Sequence, residues 1–372
     1  MLVIGLLTVG LVAGAGNAKE IKPKEVKSQP SPVVKENYTT HAPIWITNDS
    51  NFDSKFPERT ISDFKIDGSS SIGTTGNSSC IFIENCKEPF TIQNCLLSQN
   101  YDSVNDQSTR IGIGIHLINS SNCLIRENIY SHNKIANYWN AENIGIYLEG
   151  CTNCSVINNT CSYNRAECGE SGASCSGILL SDSKNNIILS NLCTCDFANA
   201  PMGCDAIGIT LEKCRVNTIK NNIFDGMYGG MRCGYGFIIS VSYYNIITLN
   251  NITNNDNYGF YITDSKYNTI HHNNIINNLG TQVKQVYDSG NNFWNTSTEG
   301  NYWSDWKTPD DNHDGIVGSP YVLDGNGGAK DFFPLVHPVQ IAGPNIPEPS
   351  PLPLVLLSVV LLTALVSRHR WW

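Results

Sequence analysis

Charged side chains are scarce in this chain: Asp, Glu, Lys and Arg supply only 15% of its 372 residues. Positive charge is the scarcer sign. The 24 Lys and Arg against 33 Asp and Glu leave a net charge of -9 and a pI near 5.3. That balance excludes nucleic acid as a partner, because phosphate backbones are held by basic surface. Patterns suited to long soluble helices are also missing. The polarity comes instead from Asn, Ser and Thr, with Asn in doublets at Asn158-Asn159, Asn185-Asn186, Asn221-Asn222 and Asn273-Asn274. Asn competes for backbone hydrogen bonds inside helices, so an all-β chain is expected.

The two ends read as processing signals. Residues 1–18 are apolar and end in small residues, as a signal sequence does, although the usual basic start is missing. Residues 19–40 read as a polar linker, and residues 339–353 as a Pro-rich stalk. Residues 354–372 carry an uncharged apolar run followed by Arg368 and Arg370. Such a run is expected to anchor the chain in a membrane as a C-terminal helix, with the arginines cytoplasmic and the body outside. With Pro347, Pro349 and Pro351 in front, this tail resembles the sorting signals handled by proteases of the exosortase and archaeosortase type, in the archaeal variant. The resemblance implies a secreted or cell-surface protein.

All fourteen cysteines lie between Cys80 and Cys233. Export makes disulfides the default. The spacings Cys151-Thr152-Asn153-Cys154 and Cys193-Thr194-Cys195 suit metal ligation as a rival reading.

What the chain has in abundance is a repeat. Apolar triplets recur after Cys80, Gly114, Gly145, Gly177, Gly208, Gly236 and Gly259. Fourteen residues beyond these starts stand Asn94, Asn128, Asn159, Asn191, Asn222, Asn250 and Asn273. Alternating apolar residues with a fixed Asn predict a right-handed, single-stranded parallel β-helix of about seven to nine coils. The Asn are expected at turns, where the left-handed conformation is tolerated, and in stacked ladders. The helix is expected over residues 41–299, with its front coil from strands near Ile44 and Ile66. The basal coil is about 23 residues. Earlier coils carry insertions at 101–110, 134–143, 165–175, 197–205 and 226–235, which must emerge along one edge and are a candidate binding face. Disulfides are expected among the insertion cysteines Cys168, Cys175, Cys204 and Cys233. Free packed thiols are expected among stacked pairs such as Cys123 with Cys154 and Cys161 with Cys193.

After the repeats, Gly300-Asn301-Tyr302-Trp303-Ser304-Asp305 opens a segment with Asp314-Gly315-Ile316, Pro320-Tyr321, Asp324 and Pro334-Leu335. Residues 300–338 are expected to cap the last open coil. With the Asn-rich coils, these motifs closely resemble the secreted β-helix family named for NosD, which overlaps the carbohydrate-binding and sugar-hydrolase (CASH) repeats. The resemblance implies an exported pectin-lyase-like fold and either polysaccharide recognition or an accessory role in copper-enzyme maturation. The chain departs from the copper role in having only four Met and no Met- or His-rich tract. Asp310, Asn312 and Asp314, followed by Gly315, offer the first half of a calcium loop without its last acidic ligand.

Catalysis would need clustered carboxylates. Glu84, Glu149 and Glu212 share one offset on alternate coils, with Asp182 beside them and His116 and Tyr147 nearby. Glu149, Asp182, Glu212 and His116 are the catalytic candidates, but alternate coils hold such acids about 9.6 Å apart, at the edge of the useful range. The sequence therefore favours a non-catalytic surface protein that binds polysaccharide or cell-envelope glycan. A polysaccharide hydrolase or lyase and a copper-maturation protein are the alternatives.

Overall fold

The computed structural model describes residues 37–69, 77–103, 108–194, 196–230, 233–278, 284–325 and 328–341. The expected signal sequence, nearly all of the linker, most of the stalk and the anchor lie outside these residues. No helix among the described residues is long and apolar enough to cross a membrane.

The coils stack in parallel as a right-handed β-solenoid. Three walls run its length, as sheets of ten, nine and nine strands. Inside lies one continuous core of Ile, Leu, Phe and Cys, from Ile44 to Leu323. Strand side chains alternate in and out, so each short strand sends one or two residues into that core. A single helix among the described residues, Asp49–Lys55, lies within the first coil, after the strand Ile44–Ile46. Asn48 caps it by accepting the Asn51 N–H at 2.9 Å, and Phe52 is fully buried.

Three polar ladders thread the stack. In the first, the side-chain oxygens of Asn128, Asn159, Asn191, Asn222, Asn250 and Asn273 each accept a backbone N–H of the coil before, beginning with the Cys95 N–H to Asn128, at 2.8–3.0 Å. Each Nδ2 from Asn128 onward donates to the next Oδ1 at 2.9–3.0 Å. The ladder runs on to Asn301. Asn94 is not in it: the strand register pairs Leu96 with Ile129, so Cys95 holds the ladder position. One extra residue in the turn between Glu84 and Phe90 shifts the count. The ladder residues are also not the left-handed ones. Positive φ falls one residue earlier, at Glu127, Asn158, Ser190, Asn221, Leu249 and His272, and at Asn94 itself. A second ladder runs Asn186, Asn217, Asn245, Asn268, Asn292, and a third includes Asn133, Asn164 and Asp196.

The insertions do not hang off as loops. Asn100–Ser103, Lys134–Asn137, Arg165–Cys168, Phe197–Asn199 and Tyr228–Gly229 form a fourth, five-stranded parallel sheet. Cys204 and Cys233 form a disulfide between adjacent coils. Cys168 and Cys175 do not pair. Cys175 points into the bore of its strand, while the Cys168 thiol donates to the Trp139 carbonyl at 2.7 Å. The stacked cysteines are free and buried, with Cys161 in register with Cys193.

At the far end the stack runs straight through the expected boundary at residue 299. Tyr302–Trp303 pairs with Asn274–Ile276 as one more strand. Trp294, Trp303 and Tyr321 join the core. Trp303 stacks on Tyr321 at 3.9 Å, and its indole N–H donates to the buried Asp331 carboxyl at 2.9 Å.

Candidate functional site

Sheet position and glycine together create a trough on the outer face. Five long strands carry a glycine in mid-course: Thr109–Ile118, Asn140–Glu149, Gly172–Ser181, Cys204–Glu212 and Gly234–Ser240. Pairing skips that glycine. Ile144 pairs with Ser176 and Ile146 with Ile178, but Gly145 and Gly177 are left out. A Cβ on Gly145 would lie 2.5 Å from the Gly177 carbonyl oxygen and from the Cys161 sulfur. Only glycine fits, and the strand bends there.

The bend folds the outer face onto itself. Ile113, Ile144, Ser176 and Ile207 have the outward parity of their strands, yet they are 3–5% exposed and stand outside the main core. They form the floor. Along one wall run Ile111, Glu142, Ser174 and Asp205, in register on successive coils. Along the other run Phe82, His116, Tyr147, Leu179, Thr210, Ile238, Tyr261 and Tyr287. Burial pushes the Tyr147 hydroxyl up, and the Glu149, Glu212 and Glu142 carboxylates push it further. A straight strand would hold residues 142 and 147 about 17 Å apart.

The aromatic wall is ordered. Trp45 stacks on Phe82 at 4.7 Å, His116 on Tyr147 at 4.6 Å with rings 6° from parallel, and Tyr261 on Tyr287 at 5.0 Å. The acidic wall is not satisfied. Burial alone raises the Glu142 carboxyl, and burial alone pushes Asp205 up to about 7. Among the described residues neither side chain has a hydrogen-bond or ion-pair partner to offset that cost. Two more polar atoms in the trough, His116 Nε2 and Thr210 Oγ1, are buried without a hydrogen-bond partner.

Of the residues expected from sequence, His116 and Glu149 come together, Nε2 to Oε2 at 3.7 Å. The imidazole holds the Glu149 carboxyl below its ordinary value, against the opposing effect of burial. Glu212 follows Glu149 two strands on, across Ser181, and pairs with Lys213 at 3.0 Å. Asp182 stands apart, exposed on a turn with φ 48°. Glu142 and Asp205 were missed, although a signal existed: each lies three residues before its bend glycine, on alternate coils. At the expected half calcium loop, Asp310 accepts the N–H of Asp314 and Gly315 at 3.2 and 3.0 Å. The Asn312 amide donates to Asp314 at 2.8 Å.

Residues 33–308 match the family model described as periplasmic copper-binding protein (NosD). The chain belongs to the NosD family. This NosD-family member is accordingly an exported β-solenoid protein. No curated protein matches it. Among solved structures, HetL resembles it at 9% identity over 63% of this chain and 83% of the other, with a TM-score of 0.19. HetL is a pentapeptide repeat protein involved in heterocyst differentiation regulation from the cyanobacterium Nostoc sp., and at that score the likeness carries no argument.

The copper of the family description was tested against the donors present. Copper takes thiolate, thioether and imidazole. Among the described residues no three His, Cys, Asp or Glu are grouped to hold an ion. The free thiols are buried, and burial pushes Cys86 and Cys95 up to about 11 and Cys214 up to about 12, which keeps them protonated. His271 and His272 spend their Nδ1 atoms on each other at 2.6 Å, and His272 Nε2 meets Glu299 at 2.6 Å. These residues do not fit a copper ion.

Proposed function

We propose that this NosD-family protein binds a glycan along the trough of its bent sheet. One observation carries the reading. Two recessed carboxyls without side-chain partners among the described residues, Glu142 and Asp205, face a wall that carries the buried Thr210 hydroxyl and stacked pairs of aromatic rings. Leaving recessed polar groups unmatched costs stability unless a ligand meets them. Sugar hydroxyls donate and accept in turn, and their C–H faces stack on aromatic rings. A linear chain lying along the stack would meet the same wall every 4.8 Å or so.

The test is retention of the full-length protein on a panel of immobilised polysaccharides. We expect retention on at least one polymer and a loss of tenfold or more for Tyr147→Ala, which removes the ring beside His116. No retention on any polymer, or a Tyr147→Ala protein that binds as well as the parent, would sink the reading.

A second reading, hydrolysis, is favoured by one feature. Glu142 and Asp205 are separated by a single strand, hence about 9.6 Å apart at the backbone, near the upper end for inverting sugar hydrolases. A neutral Asp205 could act as the acid. New chain ends appearing in the same panel, and vanishing with Asp205→Asn, would convert binding into cleavage.

A further inference from the structure

The turn leading out of the bent strands changes character along the stack. At one left-handed position the early coils carry Asn122, Asn153 and Asn185, the side chain that best tolerates that conformation. The later coils carry Val216, Tyr244 and Tyr267 at φ 57°, 58° and 61°. At a second left-handed position Asn119 and Gly150 give way, further on, to Val241 at φ 49°. A β-branched residue there is a genuine outlier. Nor does burial explain the exchange. Val216 is 53% exposed and Tyr244 is 59% exposed.

A separate local cost falls at the same place. The row beside these turns runs Ser121, Thr152, Lys184, Arg215, Tyr243, Lys266 in register. Lys184 and Arg215 are exposed and stacked on adjacent coils, about 4.8 Å apart at the backbone, and like charges placed so repel. Neither side chain has an ion-pair or hydrogen-bond partner among the described residues. Asp182 lies beside Arg215, and Glu212 is taken by Lys213. Asp182, Lys213, Arg215, Val241 and Tyr243 line a recess of about 280 Å³. Tyr244 and Tyr267 stack at 5.3 Å and are both exposed. Strained, exposed apolar residues and unpaired cations in one line point to an anionic ligand with apolar faces.

We propose that this ridge is a second binding site, distinct from the trough, for an acidic polysaccharide. Lys184 and Arg215 would meet its carboxylate or sulfate groups, and Tyr244 and Tyr267 its sugar faces. Two adjacent cations, with Lys266 two coils further along the same row, suit a linear polymer carrying several charges, whereas the trough, walled by carboxyls, suits a neutral one. The site does not depend on the trough being a binding site.

The experiment measures affinity of the full-length protein for polygalacturonate and heparin, and for neutral dextran and laminarin. The test variant is Arg215→Thr, Val216→Asn, Tyr244→Asn, which restores residue types found in the same rows at Thr152, Asn153 and Asn185. We expect wild type to bind an acidic polymer in a salt-sensitive manner and the variant to lose at least tenfold. Its thermal midpoint should hold or rise, because Asn relieves the strained turn. Any neutral-polymer binding should be unchanged, which separates this site from the trough. If the triple variant misfolds, Lys184→Gln with Arg215→Gln removes only exposed, unpaired charges and should give the same loss. Wild type ignoring both acidic polymers would overturn the proposal. So would a folded variant that binds them undiminished.

Discussion

Asp196 occupies a ladder position that its neighbours fill with Asn. Its Oδ1 accepts the Asn164 N–H and amide at 2.9 and 3.3 Å, while Oδ2 is buried without a partner. Burial pushes the carboxyl well above its ordinary range, against the pull of those hydrogen bonds. The folded state therefore favours the protonated acid. Its contribution is present below the unfolded pKa of about 3.9 and is lost as pH rises toward the folded value. Asp196→Asn keeps the acceptor and abolishes that loss. Urea unfolding at pH 8 should show the variant more stable by about 1 kcal/mol or more, with the gap closing toward pH 4. The same residues show what the sequence reveals and hides. Asn191 is identifiable from spacing because every coil repeats it. Asn94 fits the spacing but not the ladder, since one added residue in a turn is invisible to counting. Glu142 and Asp205 escaped notice because a carboxyl signals a site through burial and missing partners, and neither is written in a single sequence.

At the scale of elements, the strands were legible from period-two alternation and the coil length from the repeat. The insertions were located correctly, but their form was not. Five segments of different sequence become one sheet because each lies beside the same segment of the next coil, and the backbone pairing is indifferent to side chains. The bend at Gly145 was equally hidden, because a glycine in a strand does not announce which carbonyl will crowd it. The Cys204–Cys233 disulfide ties the start of the bent strand Cys204–Glu212 to the residue just before the next bent strand, Gly234–Ser240, across 29 residues. Its loss through a Cys204→Ser, Cys233→Ser double variant should lower unfolding free energy by about 2–4 kcal/mol. Urea titration of oxidised protein checks this. Equal stability of the variant and parent would mean that coil stacking alone fixes these strands.

At the scale of the whole molecule, the described coils form a stack whose long walls differ in chemistry. Its core and ladders are repetitive and account for stability. The outer face of the bent sheet is where repetition breaks, with acids lacking partners on one side and stacked rings on the other. That asymmetry is the central claim: the trough keeps polar groups unsatisfied for a ligand, at a cost to the free protein. Glu142→Gln with Asp205→Asn removes both recessed carboxyls while preserving shape. Burial raises both groups, so their cost grows as pH climbs from about 4, and for Asp205 levels off above about 7. The decisive measurement pairs thermal unfolding of this double variant at pH 8 with its retention on whichever polysaccharide the parent binds. The expected result is a higher midpoint together with retention reduced at least tenfold. A midpoint that falls, or retention equal to that of the parent, would contradict the claim that these carboxyls are held open for a glycan.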